Sequence, residues 1–368
     1  MRILFAINGG YLPQSVGGSE WSLHHFATGL QQRGHAVAVL ATLKDAGWTG
    51  LRNKVAGRVL RQAFPVDHHM GYPCFRGTDI EQGLQEAASR FRPDVLFAAG
   101  TGSGSVALCR QAIRMGIEVI YSVKDVWFPG HGDLRTLEGA RFVTNSRFTA
   151  KRLYDTFGLP STIVRPPIDP QRCRVPAAGT RVVLVNPYES KGGPLALAMA
   201  QARKDIPFAF YESWSVDLTS IKKQALASGN IEWHRSVLDP RKIYRNTRVL
   251  LVPSQAEEAW GMVASEAQCS GIPVIGSEIG GLSESIGPGG IRLPPDAPLS
   301  VWNDALDLLW RDQREWQRLS DAALAHAARH EIQVATQIDL LDELLESGSR
   351  RAVRHSAECT DLKPVDWR

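Results

Sequence analysis

Two glutamates lie on either side of a glycine after an apolar run late in the chain. The run Val249–Val252 leads into a polar loop with Glu258, and a helix is predicted to begin near Gly261, with Glu266 about one and a half turns inside it. Unpaired N–H groups at a helix start attract anions, and glycine lets a ligand approach the backbone. A diphosphate bound there would have one carboxylate on each side, an arrangement suited to sugar and ribose hydroxyls.

Taken alone, two glutamates at this spacing are more typical of a solvated loop and a helix surface. The following residues change that interpretation, because Gly271-Ile272-Pro273-Val274 leads into a strand and Gly280-Gly281 precedes Glu284. The run from Pro253 to Glu284 resembles the donor-binding segment of the retaining glycosyltransferases of family 4. That family has Glu, seven residues, Glu, then a Gly-x-Pro-Val strand and a Gly-Gly-x-x-Glu turn.

The resemblance covers most of the chain. Gly17-Gly18 before the first helix is similar to the family's loop that faces the donor phosphates, and Lys191-Gly192 is similar to its Lys-Gly pair. The resemblance implies that Lys191 neutralises the diphosphate and stabilises the leaving nucleotide electrostatically. The catalytic residues it implies are Glu258 and Lys191. The donor-binding residues it implies are Gly17, Gly18, Asn186, Lys191, Gly261, Met262, Val263 and Glu266. It implies no metal and no cofactor, with a nucleoside diphosphate sugar as co-substrate.

The sequence departs from the family pattern at two places. Asn186 stands where the family usually has an arginine for the diphosphate, so that cation is missing or comes from elsewhere, with Arg235 as one candidate. Lys124-Asp125 stands where a His-Asp pair is common, and a lysine there can bind an anionic group of the acceptor or the donor. We assign Lys124, Asp125 and the loop residue Gly102 to the acceptor side.

The elements that position these residues follow a strand–helix alternation. The predicted strands are mostly continuous apolar runs, which is typical of parallel strands buried on both faces. They are Ile3–Ile7, Val37–Leu40, Val95–Ala99, Ile117–Tyr121, Phe142–Thr144, Val182–Val185, Phe208–Tyr211, Ile231–Trp233, Val249–Val252 and Pro273–Ile275. This alternation predicts an α/β protein, and with the resemblance it predicts two Rossmann-like doubly wound domains facing each other across a cleft, the GT-B fold.

The proline-rich segment Arg165–Pro170 suggests the boundary between the domains. We predict an acceptor-side N-terminal domain over 1–167 and a nucleotide-sugar-binding domain over 168–345. Helices are predicted from Leu299 onward, and the first helix is predicted to begin near Ser19. Residues 346–368 are predicted to form a tail. One interpretation is that this tail packs back on the N-terminal domain.

Composition excludes several classes of protein. The chain has 368 residues, 43% apolar and 22% charged, which is ordinary for a globular protein and unlike disordered or coiled-coil chains. A net charge of +4 gives no argument for nucleic acid. Five scattered cysteines fit neither a zinc site nor a disulfide framework, and no apolar run is long enough for a membrane span or signal peptide. These features favour a cytoplasmic protein with reduced thiols.

The basic segment Lys44–Phe64 has apolar residues at helical spacing. A surface helix packed on the domain is the simpler interpretation, and peripheral contact with anionic lipid at the inner face of the membrane is the alternative. The adjacent histidine pairs His24-His25 and His68-His69 lack an acidic cluster, so they do not predict a metal site.

The function predicted from the resemblance is transfer of a sugar from a nucleoside diphosphate sugar to a hydroxyl of a sugar, lipid-linked or small-molecule acceptor, with retention at the anomeric carbon. Two alternatives stay open. A GT-B epimerase or hydrolase would release nucleotide without an acceptor. A non-catalytic nucleotide-sugar-binding protein would bind the donor without turnover.

Overall fold

The computed structural model describes residues 1–43, 50, 55, 64–100, 102–176, 179–212 and 217–360, with backbone alone beyond residue 348. Apart from Gly50, Val55 and Phe64, the basic segment Lys44–Phe64 lies outside the described residues. Its predicted lipid contact therefore stays a prediction.

The described chain forms two sheets, one of eight strands and one of six. The first has the order β3-β4-β2-β1-β5-β6-β7-β8 and the second β11-β10-β9-β12-β13-β14. Every pairing is parallel except that of β3 with β4. The strands are β1 (Arg2–Ile7), β2 (Ala36–Thr42), β3 (Val66–Asp67), β4 (Cys74–Gly77), β5 (Val95–Ala99), β6 (Glu118–Val123), β7 (Arg141–Thr144), β8 (Thr162–Ile163), β9 (Arg181–Val185), β10 (Phe208–Tyr211), β11 (Ile231–His234), β12 (Thr247–Val252), β13 (Val274–Ser277) and β14 (Gly290–Leu293).

Helices cover both faces of each sheet. They are α1 (Gly18–Gln32), α2 (Ile80–Phe91), α3 (Ser103–Arg114), α4 (Arg147–Phe157), α5 (Pro170–Cys173), α6 (Gly193–Ala202), α7 (Thr219–Ser228), α8 (Arg241–Tyr244), α9 (Met262–Gln268), α10 (Leu282–Ile286), α11 (Leu299–Arg311), α12 (Gln313–Ala327) and α13 (Val334–Thr360). In β1, Leu4 packs with the layer that contains α2 and α3, whereas Phe5 packs with the layer that contains α1. Both faces are buried, so the strand is apolar at successive positions.

The two-sheet α/β architecture confirms the predicted fold class. All ten predicted strands are present, with ends shifted by a few residues, and α1 begins one residue before the predicted Ser19. The sequence prediction omitted β3, β4, β8 and β14, which have two to four residues each. Three of them, β3, β8 and β14, lie at sheet edges, where a strand needs little apolar sequence because one side has no partner strand.

The chain crosses between the sheets at two adjacent segments. The first crossing is the proline-rich segment, where the Ile168 N–H donates to the Ile332 carbonyl at 3.0 Å. The second crossing leads into α13, and its Gln337 side chain accepts from the Arg165 N–H at 2.5 Å. The two crossings therefore lie side by side.

The last helix packs on the first sheet, although the predicted boundaries place residues 334–345 in the C-terminal domain. Helix α13 begins at Val334 and buries Ile338, Leu341 and Leu345 in the core of the first sheet. These side chains recur at helical spacing, and Gly29 of α1 leaves room for Ile338. The return to the N-terminal domain thus begins well before the predicted tail, and the same helix continues through residues 346–360.

Within the described part of the chain, no helix is long and apolar enough to cross a membrane. Among the same residues, no three His, Cys, Asp or Glu side chains are grouped so that they could hold a metal ion.

The docking of α13 gives a test of stability. Leu341 is fully buried between α13 and the first sheet, so Leu341→Ala should lower the free energy of unfolding by about 2–5 kcal/mol through lost burial and a residual cavity. Leu308→Ala is the matched control, because that leucine is 43% exposed, and it should cost less than about 1 kcal/mol. Denaturant unfolding followed by tryptophan fluorescence measures both. Equal effects of the two substitutions would contradict the assigned packing.

Candidate active site

Lys191 and Glu258 form an ion pair where the chain leaves β9 and β12. Lys191 ends a single helical turn after β9, and Gly192 next to it adopts φ 76°, the left-handed region that favours glycine. Glu258 lies in the loop after β12 and also accepts a hydrogen bond from the Ser254 hydroxyl at 2.6 Å. The two side chains are 25% and 11% exposed, so the pair is largely desolvated yet still reachable by a ligand.

Glu266 lies within α9, four residues after the first residue of that helix, Met262. Its carboxylate accepts a hydrogen bond from the Tyr244 hydroxyl at 2.7 Å. Burial raises the pKa of Glu266, while this hydrogen bond and the nearby Arg172 guanidinium act in the opposite direction. The two glutamates therefore have separate partners, Lys191 and Ser254 for Glu258 and Tyr244 for Glu266. Gly261 adopts φ 88°, which turns the chain into the helix.

The glycine loop of the first domain meets α9 directly. A Cβ atom at Gly18 would collide with the Met262 side chain, so residue 18 has no room for a side chain while Met262 keeps this position. The Ser22 hydroxyl donates to the Gly18 carbonyl at 2.7 Å and fixes the first turn of α1. Gly17 precedes this turn in an extended conformation with no side-chain cap. The two predicted phosphate-binding segments therefore lie face to face.

Asn186, which stands in place of the expected arginine, has an unusual conformation. It adopts φ 62°, and its backbone N–H donates to the Tyr211 carbonyl at 2.9 Å. Its Oδ1 atom is buried and has no hydrogen-bond partner among the described residues. An acceptor atom without a partner is costly, so a ligand N–H or O–H would stabilise this side chain.

Lys124 and Asp125, which are assigned to the acceptor side from the sequence, have different hydrogen-bond partners. Lys124 follows β6 and donates to the Ser19 carbonyl at 3.4 Å, so it lies at the start of α1. Burial lowers the pKa of Lys124 to about 8, and the Glu20 carboxylate opposes this shift. Asp125 instead accepts from the ring of the buried His131 at 2.8 Å and from the Trp127 N–H at 3.1 Å. It therefore organises its own loop.

Gly102 directly precedes α3 and adopts φ 91°, and a Cβ atom there would lie 3.7 Å from the Gly130 carbonyl oxygen. The loop after β5 thus packs against the loop that Asp125 organises. Both loops follow neighbouring strands at the carboxyl edge of the first sheet, so Gly102 and Asp125 share one side of the cleft.

Sequence reasoning missed several residues that support the site. Ser254 follows Pro253 in the sequence, but no motif or spacing distinguishes it as a functional residue. Tyr244 and His131 belong to no motif. Glu284 belongs to the quoted motif, yet its carboxylate accepts from the Phe148 N–H at 3.1 Å and pairs with Arg165 at 3.5 Å. It therefore connects the two domains.

An interdomain stack lies next to Glu266. The Arg172 guanidinium carbon is 3.3 Å from the centre of the Trp21 ring, which is a cation–π contact. Trp21 belongs to α1 and Arg172 to α5, so this stack joins the domains beside the site. Neither residue had a sequence signal.

Comparison with known families agrees with this geometry. Residues 16–172 match the profile described as Glycosyltransferase Family 4, and residues 211–326 match that described as Glycosyl transferases group 1. The chain belongs to the family 4, group 1 glycosyltransferases, which is the family that its sequence motifs resemble. It has the GT-B fold of that family.

Curated relatives share part of the chain. D-inositol 3-phosphate glycosyltransferase of Arthrobacter sp. (strain FB24) is 28% identical over 226 residues, which cover 53% of each protein. The protein of the same name from Corynebacterium diphtheriae is 38% identical over 99 residues, covering 25% of this chain and 23% of the relative. The aligned segments thus span between a quarter and half of these relatives.

Solved structures share the fold over nearly the whole chain. Anabaena Alr3699/HepE, solved in complex with UDP-glucose, has a TM-score of 0.75 at 18% identity, covering 94% of this chain and 100% of that one. Sucrose-phosphate synthase from Thermosynechococcus elongatus has a TM-score of 0.71 at 16% identity, covering 94% and 100%.

The turn at Gly280-Gly281 gives a test of how the Glu258 loop is held. The Gly281 N–H donates to the Glu258 carbonyl at 2.6 Å, and a Cβ atom at 281 would lie 2.7 Å from the Ala259 carbonyl carbon. Gly281→Ala should therefore lower the free energy of unfolding by about 1–3 kcal/mol through overpacking against backbone. Gly9→Ala is the control, because nothing lies within 4 Å of its added Cβ. Thermal unfolding measures both, and equal melting temperatures would refute the close packing.

Proposed function

We propose that the protein transfers a sugar from a nucleoside diphosphate sugar to an acceptor hydroxyl, with retention of configuration at the anomeric carbon. The observations that carry the proposal are the contact of Gly18 with Met262 at the start of α9 and the Lys191–Glu258 pair in the loops after β9 and β12 of the same domain. A diphosphate needs cationic and N–H partners close together, and this cleft provides both.

Lys191 and the backbone N–H groups at Gly261–Val263 are the proposed diphosphate ligands. A lysine next to the departing phosphate stabilises the negative charge that develops as the sugar–phosphate bond breaks. Glu258 holds the Lys191 ammonium in the cleft. The hydrogen bond from Ser254 fixes the Glu258 carboxylate in turn.

The two glutamates are proposed to bind the two ends of the donor. Glu266, fixed by Tyr244, accepts hydrogen bonds from the ribose hydroxyls. Glu258 accepts hydrogen bonds from the donor sugar near the reacting carbon. Because a carboxylate is an acceptor with two oxygens, each can bind a pair of neighbouring hydroxyls.

The proposed chemical step takes place on one face of the sugar. The bond between the anomeric carbon and the phosphate oxygen breaks, and the acceptor oxygen bonds to the anomeric carbon on the same face. The acceptor proton passes to the departing phosphate oxygen. This route needs no protein nucleophile.

The donor that we propose is a uridine diphosphate sugar, because HepE shares the fold and was solved with UDP-glucose. The acceptor class is left to a screen of sugar, lipid-linked and small-molecule alcohols. D-inositol 3-phosphate belongs in that screen because of the curated relatives' name.

Nucleotide binding tests the donor site. Calorimetry with UDP, GDP, ADP and TDP should find micromolar affinity for one of them, and Lys191→Ala should weaken it at least about tenfold, or about 1.4 kcal/mol. Lys204→Ala is the control, because this exposed lysine of the same domain bonds to the Ser228 carbonyl. It should leave the affinity unchanged. No binding of any of the four nucleotides would refute the proposed donor site.

Turnover separates transfer from the alternatives. With UDP-glucose and the acceptor screen, the wild type should release UDP only when an acceptor is present. Glu258→Gln should lower the transfer rate at least about 100-fold, because a neutral amide at the reacting centre loses the electrostatic contribution. Nucleotide release without acceptor would indicate a hydrolase or epimerase. Donor binding without turnover would indicate a binding protein.

A further inference from the structure

We propose that Lys124 binds the donor diphosphate, so that each domain contributes one lysine to it, Lys124 from the first and Lys191 from the second. This inference rests on the proposed function and adds a residue to its site. The expected cation position in the second domain is filled by Asn186, which is neutral.

The Lys124 ammonium has fewer hydrogen-bond acceptors within the described part of the protein than it has N–H donors. It has three N–H donors, and the structure gives it one hydrogen bond, to the Ser19 carbonyl at 3.4 Å, among the described residues. A buried ammonium that lacks acceptors is unfavourable, and burial accordingly lowers its pKa. An anion next to it would reverse that cost, which is the physical reason to expect a ligand there.

The position of this ammonium identifies the ligand group. Ser19 is in the first turn of α1, directly after Gly17-Gly18, where the helix has no side-chain cap. Gly18 packs against Met262, the first residue of α9. Lys124 therefore lies at the junction of the two segments that the proposed function gives to the phosphates. The donor diphosphate would pass through this junction.

Charge balance favours the same conclusion. A nucleoside diphosphate carries more than one negative charge, and Lys191 is paired with Glu258. Asn186 is neutral, so it does not offset the charge of the phosphates. The charged group facing Lys124 is Glu20 on α1, and it accepts from the Ser15 hydroxyl at 2.9 Å. That hydrogen bond holds the Glu20 carboxylate toward Ser15.

Paired substitutions test the role of Lys124. Lys124→Met should weaken binding of the preferred nucleoside diphosphate at least about tenfold, while the affinity for the corresponding nucleoside stays within about twofold. Lys124→Arg should retain most of the diphosphate affinity. Lys151→Met is the control, because this 74% exposed lysine of the same domain pairs with Asp155. It should change neither affinity.

The outcomes distinguish this inference from the function on which it rests. If the wild type binds none of UDP, GDP, ADP and TDP, the proposed function fails first. If the wild type binds one of them and Lys124→Met binds it equally well, the inference is overturned. An unchanged diphosphate affinity with a raised acceptor KM would assign Lys124 to an anionic acceptor instead.

The pH dependence of diphosphate affinity distinguishes a lysine that binds the ligand from a lysine with only a structural role. Burial lowers the pKa of Lys124 to about 8, so its charge is present at pH 7 and is lost as the pH rises through about 8. Diphosphate affinity of the wild type should therefore fall between pH 7 and pH 9.5. Lys124→Arg keeps its charge over this range, so its affinity should change less. Parallel pH profiles for the two proteins would overturn the inference, and this test remains available if Lys124→Met does not fold.

Discussion

The close approach of the Gly17-Gly18 loop to Met262 constrains the rest of the structure. It brings the first turn of α1 against the start of α9, and a side chain at position 18 would require the Met262 side chain to move. Lys124, which follows β6, donates to the Ser19 carbonyl beside this contact, and Glu266 belongs to the helix that Met262 begins.

The cleft is held by contacts of different physical kinds. Near Glu266 a guanidinium stacks on an indole, with Arg172 over Trp21. On the other side, the Glu284 carboxylate receives a backbone N–H of α4. An exposed ion pair between Arg152 and Glu257, 3.0 Å apart, lies near the Glu258 loop. Surface pairs of that kind add little stability, so the stack and the carboxylate contact contribute more to domain orientation.

The parts of this site that can be predicted from the sequence are those in which the backbone geometry determines the residue type. Gly261 and the Gly280-Gly281 turn are required by positive φ or by close approach to backbone, and such constraints restrict residue type at fixed spacing. The long buried strands were predictable for a similar reason, because burial on both faces demands continuous apolar sequence. Tyr244, His131 and Arg172 could not be predicted, since each acts through a partner distant in sequence. The packing of α13 could not be assigned from the sequence, because an apolar stripe at helical spacing does not indicate which domain buries it.

Helix α13 is synthesised last, yet it packs on the domain that is synthesised first. Ile338, Leu341 and Leu345 complete the core of a sheet whose strands all precede residue 164. As a chain leaves the ribosome from its N-terminus, the first sheet can form long before its last core side chains exist. The second domain, by contrast, has its strands and covering helices between Arg181 and Ala327. The domain that begins first is therefore the one that is finished last, and its apolar surface along α1 stays uncovered during synthesis of the other.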